Sequence, residues 1–107
     1  MSFRRPRRRI DWSERASTEL ARWVDRYERL WALVKNVEFH LEHTPEHPLS
    51  SVVEGTDYRA LESDALFMEQ RAGLPNMVVV YRFDDACVYI WDVRLVPPPD
   101  YPVAPLY

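Results

Sequence analysis

The segment from Asn76 to Val96 constrains the fold more than any other part of the chain. It contains two runs rich in Val, Ile, Tyr, Phe and Trp, separated by the acidic pair Asp84-Asp85. Such residues favour strands, and a short polar interruption between two strands favours a turn. The segment therefore predicts a β-hairpin. Because a long helical pattern precedes it, the chain is predicted to belong to the α+β class.

The register of this hairpin decides which side chains face the core. A three-residue loop at residues 84–86 places the apolar positions of both strands on one face: Met77, Val79, Tyr81, Phe83, Cys87, Tyr89, Trp91, Val93 and Leu95. A two-residue loop would mix the faces, because a shift by one residue inverts a strand. We predict the register that keeps one face apolar. Arg82, Asp92 and Arg94 then share the other face, where Asp92 and Arg94 form either a surface ion pair or a cationic site.

The residues upstream of the hairpin predict a short strand followed by helix. Residues 9–12 fit a strand, and Ser13 is a good helix N-cap. After it, apolar residues recur at steps of three and four until Pro45: Ala16, Leu20, Trp23, Val24, Tyr27, Leu30, Trp31, Val34, Val37 and Leu41. This span fits one helix of about 28 residues or two helices that turn near Asp25-Arg26. An average helix length of about 11–12 residues favours the helical hairpin.

The middle of the chain leaves helix and strand open. Residues 58–72 fit a helix, or a strand over residues 65–71 that a turn at residues 73–76 joins to Met77–Phe83. We predict a short N-terminal strand and a helical hairpin, or one long helix, packed on a three- to four-stranded antiparallel sheet. The 107 residues make one domain over residues 10–96, between an arm at residues 1–9 and a Pro-rich tail at residues 97–107.

Charge is distributed unevenly along the chain. The net charge is −3, but five arginines lie in the arm: Arg4, Arg5, Arg7, Arg8 and Arg9. Residues 10–107 carry nine basic and seventeen acidic side chains, a net charge of −8. The arm is predicted to be flexible and solvated, to bind nucleic-acid phosphates, or to fold against the acidic body or an acidic partner. An acidic body repels RNA unless its cations are locally concentrated.

The cysteine count and the hydropathy pattern indicate the compartment. The single cysteine, Cys87, excludes a disulfide within a monomer, and its strand pattern predicts a buried structural thiol. No apolar run approaches the roughly 20 residues of a membrane span. A secretory signal would require an apolar stretch after the N-terminal arginines, and none follows them. We therefore expect a cytoplasmic protein with no membrane partner.

Three histidines and four tryptophans are further candidate functional groups. His40, His43 and His47 would share one face of a continuous helix and could bind Zn²⁺, but Pro45 interrupts that helix. A polar helix end is the favoured interpretation, so neither a metal nor another cofactor is predicted. The tryptophans lie on apolar periodicities, which favours core packing over base stacking.

Three segments together resemble a known family. Residues 10–16 combine an apolar–Asp–aromatic strand end with an acidic, Ala-containing first helix. Residues 80–85 carry an apolar–Tyr pair before acidic residues, and residues 88–94 form a strand that closes on Arg94. With the order of elements, they make residues 10–94 similar to the RelE/ParE superfamily of toxin–antitoxin toxins. The resemblance implies the RelE/ParE-like fold and a cognate antitoxin protein as partner.

The resemblance implies two different activities. RelE-like members cut mRNA on the ribosome, whereas ParE-like members inhibit DNA gyrase. Cleavage needs a group that activates the ribose 2′-OH, cations on the scissile phosphate and a donor for the leaving oxygen. Matched to the RelE-like pattern, Met68 and Gln70 stand where the archetype has lysines. The candidate catalytic residues are Arg94, which closes the last strand, Arg82, Glu69, Arg71 and Tyr101.

Three functions follow as expectations. The first is a growth-inhibiting toxin that acts as an mRNA endoribonuclease. The second is a non-catalytic ParE-like protein that binds gyrase or another protein, which the missing lysines favour. The third is an adaptor that binds nucleic acid or a protein partner through its arginine arm.

Overall fold

The computed structural model describes residues 7–66 and 74–97. Its elements, in chain order, are β1 (Arg9–Trp12), α1 (Glu14–Val24), α2 (Leu30–His43), β2 (Ser51–Val52), β3 (Arg59–Glu62), α3 (Ser63–Leu66), β4 (Asn76–Phe83) and β5 (Cys87–Val96). The strands form one sheet in the order β1-β5-β4-β3-β2. The α+β class is confirmed. Within the described residues the sheet has five strands instead of three or four, and it is mixed, because β1 lies parallel to β5.

The helical hairpin is confirmed, and the single long helix is wrong. Ser13 caps α1 by accepting a hydrogen bond from the Ala16 N–H at 3.0 Å, and the chain turns between Asp25 and Arg29. A continuous helix of 28 residues would be about 42 Å long and would overhang the sheet. The turn instead brings Leu20 and Leu30 into the same core.

One face of the sheet forms the core with α1 and α2. The buried residues come from both helices and from three central strands: Ala16, Leu20, Leu30, Leu33, Val34, Val37, Leu41, Leu61, Met77, Val79, Tyr81, Val88, Ile90, Val93 and Leu95. Trp12 and Trp23 pack half-buried against this cluster. Trp31 and Trp91 are exposed, so core packing is the wrong expectation for these two.

The strand that pairs with β4 differs from the prediction. It is β3, which aligns Leu61 with Val79, whereas the sequence allowed a strand over residues 65–71 in that place. Ser63 and Asn76 fix this arrangement: the Ser63 hydroxyl accepts from the Met77 N–H at 2.9 Å, and the Asn76 side chain accepts from the Asp64 N–H at 3.1 Å. Residues 67–73 lie outside the described part.

The segment before β3 forms a small hairpin with it. β2 pairs antiparallel with β3, aligning Val52 with Arg59. Gly55 lies in the connecting turn with φ of 80°, a conformation that costs glycine little and other residues more.

The faces of the β4–β5 hairpin are predicted correctly at its open end and wrongly on β5 near its turn, and the alignment differs from the prediction throughout. A three-residue loop would align Val79 with Trp91 and Tyr81 with Tyr89, but Val79 aligns with Val93 and Tyr81 with Ile90. The Asp84 carboxylate accepts the N–H groups of Ala86 and Cys87, which widens the turn by one residue. A β-bulge at Trp91 adds a second residue of shift, which returns Val93 and Leu95 to the predicted core face. Val88 and Ile90 therefore occupy the core positions that were assigned to Tyr89 and Trp91. Cys87 is buried, as expected.

Among the helices of the described residues, none is both long enough and apolar enough to span a bilayer.

Candidate functional site

The face of the sheet opposite the two helices carries aromatic and cationic side chains. We call it the outer face and define it by Tyr58, Arg82, Tyr89, Trp91 and Arg94, with Arg15 at its rim. Arg82, Trp91 and Arg94 are exposed, while Tyr58 and Tyr89 are half-buried. Alternation along β4 and β5 explains the arrangement, because residues next to core positions point away from the helices.

Trp91 reaches the outer face because it is the bulged residue of β5. Its side chain is 45% exposed. The Arg15 guanidinium lies 4.8 Å from the centre of its ring, and the Tyr58 ring lies 5.7 Å away. The indole is therefore flanked by a cation and a second aromatic ring while nearly half of it stays accessible.

The first turn of α1 holds the bulge in place. Ser13 donates its backbone N–H to the Ile90 carbonyl at 2.8 Å. Its hydroxyl donates to the Trp91 carbonyl at 2.6 Å while accepting from the Ala16 N–H. One side chain therefore caps the helix and satisfies a carbonyl that the bulge removes from the strand ladder.

Asp92 forms an ion pair with α1. Its carboxylate lies 3.6 Å from the Arg15 Nε and accepts the Val93 N–H at 2.9 Å. Asp92 is only 8% exposed, and a carboxylate at such a position needs a cation close by. The pair links α1 to β5 and holds Arg15 beside Trp91. The sequence had suggested Arg94 as the partner of Asp92.

The two predicted arginines of the sheet lie at different places on the outer face. Arg82 aligns with Tyr89, and Arg94 aligns with Val78. Arg82 and Val78 are four positions apart on β4, a separation of about 13 Å. Arg82 lines a cavity of ≈ 500 Å³ with Tyr58, Arg59, Asp84 and Tyr89. Arg94 lines another of ≈ 410 Å³ with Arg15, Glu19 and Asp92.

A hydrogen-bonded group surrounds Arg82. Its guanidinium lies 5.3 Å from the centre of the Tyr89 ring, and the Tyr89 hydroxyl donates to the Asp84 carboxylate at 3.1 Å. Backbone N–H groups of Ala86 and Cys87 lower the pKa of Asp84 by stabilising its charge. The hydrogen bond between the Tyr89 hydroxyl and Asp84, together with the charge of Asp84, raises the pKa of Tyr89.

Three arginines of the predicted arm lie against the body. Arg9 belongs to β1. Arg7 pairs with Glu42 at 3.0 Å, and the Arg8 guanidinium donates to the Asp84 carbonyl at 2.7 Å. Among the alternatives for the arm, these contacts correspond to folding against the acidic body. Arg4 and Arg5 lie outside the described residues, as do the candidate catalytic residues Glu69, Arg71 and Tyr101.

The three histidines lie close together at the end of α2. The rings of His40 and His47 are 5.5 Å apart. The His47 Nδ1 accepts the Leu49 N–H at 3.0 Å, and the His43 Nδ1 contacts the Phe39 carbonyl at 2.8 Å. Burial, followed by the charges of His47 and His43, lowers the pKa of His40. Within residues 7–66 and 74–97, no group of three or more potential ligands is arranged to hold a metal ion.

Sequence reasoning missed Arg15, Tyr58 and Trp91 as site residues. Arg15 is the second residue of α1, but only the parallel pairing of β1 with β5 shows that this turn meets Trp91. Tyr58 precedes a strand that the sequence left ambiguous. For Trp91 the composition gives no signal, because no glycine marks the bulge.

Comparisons of the chain with protein-family models, with curated proteins and with solved structures found no match.

Proposed function

We propose that the protein is a growth-inhibiting toxin of the RelE/ParE type that acts as an mRNA endoribonuclease through the outer face of its sheet. The observation that carries this proposal is the concentration of cations on that face. Arg15, Arg82 and Arg94 are three of only nine basic residues in residues 10–107. They lie among exposed and half-buried aromatic rings on a body that is otherwise acidic. This is the local concentration that an acidic protein needs in order to bind RNA.

The order of elements supports the same proposal. A short strand, a helical hairpin and an antiparallel run of strands follow one another, as the resemblance implies for this superfamily. In this proposal the protein works in the cytoplasm on the mRNA of the ribosome, and a cognate antitoxin protein neutralises it.

The chemistry assigns distinct roles to the candidate residues. Arg94 and Arg82 would bind phosphates on either side of the reacting nucleotide, because about 13 Å separates their positions. The guanidinium nearer the scissile phosphate would stabilise the charge that develops there. For the base and the proton donor, the resemblance supplies Glu69 and Tyr101, with Arg71 as a further cation.

Controlled expression tests this proposal. Induction of the wild-type protein should stop growth and produce cleaved transcripts. Arg94→Ala and Arg82→Ala should each slow cleavage by about 100-fold, the usual effect of removing one group that stabilises transition-state charge. Arg29→Ala is the matched control, because Arg29 is an exposed arginine in the turn between α1 and α2. Growth arrest with intact transcripts would contradict the ribonuclease.

A second function is favoured by a specific observation. The separation of Arg82 from Arg94 and the net charge of −8 suit a surface that binds a protein better than a compact catalytic centre. In that case the protein is a non-catalytic, ParE-like inhibitor of DNA gyrase or of another protein. Induction would then cause DNA damage or growth arrest while the transcripts stay intact.

The adaptor function has its own test. Because Arg7 and Arg8 contact the body and Arg9 lies in β1, the informative deletion removes residues 1–6 only. Loss of nucleic-acid binding without any toxicity of the full chain would support the adaptor.

A further inference from the structure

We propose that Trp91 is a stacking site for an unpaired RNA base, with Arg15 and Tyr58 as its flanking groups. The inference rests on the proposed function, since it names the substrate that the outer face receives. It adds a ligand-binding position at a residue outside the predicted catalytic set.

The first observation behind this inference is the position of Trp91 on the sheet. A tryptophan in a central sheet normally packs into the core, but the bulge turns this one outward and leaves it 45% exposed. β-Bulges recur next to functional sites because they redirect a side chain. Here the redirected side chain is the largest apolar one in the strand, so its exposure has a cost in solvation that binding a flat ring would offset.

The indole is also held ready for a ligand. Ser13 fixes the backbone on both sides of the bulge through the Ile90 and Trp91 carbonyls. Tyr58 contacts the ring at 5.7 Å and Arg15 at 4.8 Å. A side chain with few remaining rotamers loses little entropy when a base stacks on it.

The positive charge near Trp91 favours a nucleic acid as the ligand. The Nε of Arg15 faces Asp92 at 3.6 Å, but the side chain is 64% exposed. The rest of its guanidinium can therefore donate to a phosphate or share the indole with an incoming base. Arg82 and Arg94 extend the positive charge along the same face, as a phosphate backbone requires. The strand must be single, because bases in an RNA duplex are stacked on one another and cannot reach a side chain.

The test measures binding of fluorescein-labelled ten-nucleotide RNA by anisotropy, without ribosomes, for the wild-type protein and three variants. Trp91→Ala should weaken binding by about 5- to 150-fold, the effect of losing one base–aromatic stack. Trp91→Phe should weaken it less, since a smaller ring still stacks. Trp31→Ala is the matched control, because Trp31 is 52% exposed on α2, and it should bind like the wild type.

Two further measurements define the ligand. In an Asp92→Asn background, where no buried carboxylate loses its cation, Arg15→Ala should reduce the magnitude of the slope of log K against log salt by about 0.7, the value for one phosphate contact on a single strand. A duplex RNA or a DNA strand of the same length should bind more weakly than the single-stranded RNA.

The outcomes separate this inference from the proposed function. Wild-type affinity in Trp91→Ala and Trp91→Phe, or no RNA binding by the wild type, would overturn the stacking site. Equal binding of DNA would overturn the assignment to RNA. Binding that depends on Trp91 in a protein that neither cleaves transcripts nor stops growth would support the stacking site and overturn the ribonuclease.

Discussion

The hydroxyl of Tyr81 is a polar group inside the core, and a hydrogen bond satisfies it there. Tyr81 is fully buried, and its hydroxyl donates to the backbone carbonyl of Pro45, which is also buried. The bond ties the end of the α2 segment to the centre of β4. Burial raises the pKa of Tyr81 above its ordinary value of 10.0, so the folded protein favours the neutral phenol.

Removing that hydroxyl should destabilise the fold. In Tyr81→Phe the Pro45 carbonyl keeps its burial and loses its donor, which we expect to lower the free energy of unfolding by about 1–3 kcal/mol. Urea unfolding at pH 7 measures the loss. Tyr89→Phe is the matched control, since its hydrogen bond is exposed and its loss should cost clearly less. An equal effect of the two substitutions would contradict a buried, obligatory bond.

The raised pKa adds a pH dependence to this comparison. A group with a higher pKa in the folded state binds its proton more tightly there, so its contribution is complete below pH 10 and is lost as pH rises through the folded pKa. The difference in stability between wild type and Tyr81→Phe should therefore shrink above pH 10.

At the level of elements, Ser13 connects the helix layer to the sheet. It caps α1 and donates to the Trp91 carbonyl. Ser13→Ala should lower the free energy of unfolding by about 1–2 kcal/mol through the cap alone, and further through the carbonyl left without its donor. The same substitution should weaken RNA binding, because the bulge loses its anchor.

Ser17→Ala provides the control for this prediction. Ser17 is an exposed residue inside α1, where alanine has the higher helix propensity. Its stability should match or exceed that of the wild type in the same urea titration. If Ser13→Ala is as stable as Ser17→Ala, Ser13 does not have the double role described.

Local signals explain which elements could be predicted from the sequence. β1, the Ser13 cap and the two helices follow from side-chain periodicity and capping, which act over a few residues. The pairing of β3 with β4 depends on Ser63 and Asn76, two polar residues 13 positions apart, and no local pattern reports that contact. The bulge at Trp91 cannot be predicted from a local pattern either. It depends on a turn that Asp84 widens and on a hydrogen bond from Ser13 to the Trp91 carbonyl.

For the candidate site as well, local patterns predict one part and long-range contacts determine the rest. Arg82 and Arg94 were placed on the face away from the core by alternation along their strands, and both are exposed there. The distance between Arg82 and Arg94, and the contact of Arg15 with Trp91, depend on how segments distant in sequence align. The sequence predicts an antiparallel sheet, so it does not indicate that β1 lies parallel to β5.

Over the whole molecule, the charge distribution makes the outer face distinct. The body is acidic, and Arg7 and Arg8 of the N-terminal segment contact Glu42 and the Asp84 carbonyl. On the outer face, Arg82, Arg94 and the exposed part of Arg15, whose Nε faces Asp92, lie on one surface where they can meet a large anionic ligand. A protein organised in this way should bind its target through the sheet and not through the helices.

Amide chemical-shift mapping tests that claim most directly. A single-stranded RNA of ten nucleotides, added to the ¹⁵N-labelled full chain, should perturb the amides of residues 89–94, Arg82, Tyr58 and Arg15, together with the indole N–H of Trp91. Perturbations confined to α2 or to residues 1–9, with the outer face unchanged at saturation, would contradict the assignment of function to the outer face of the sheet.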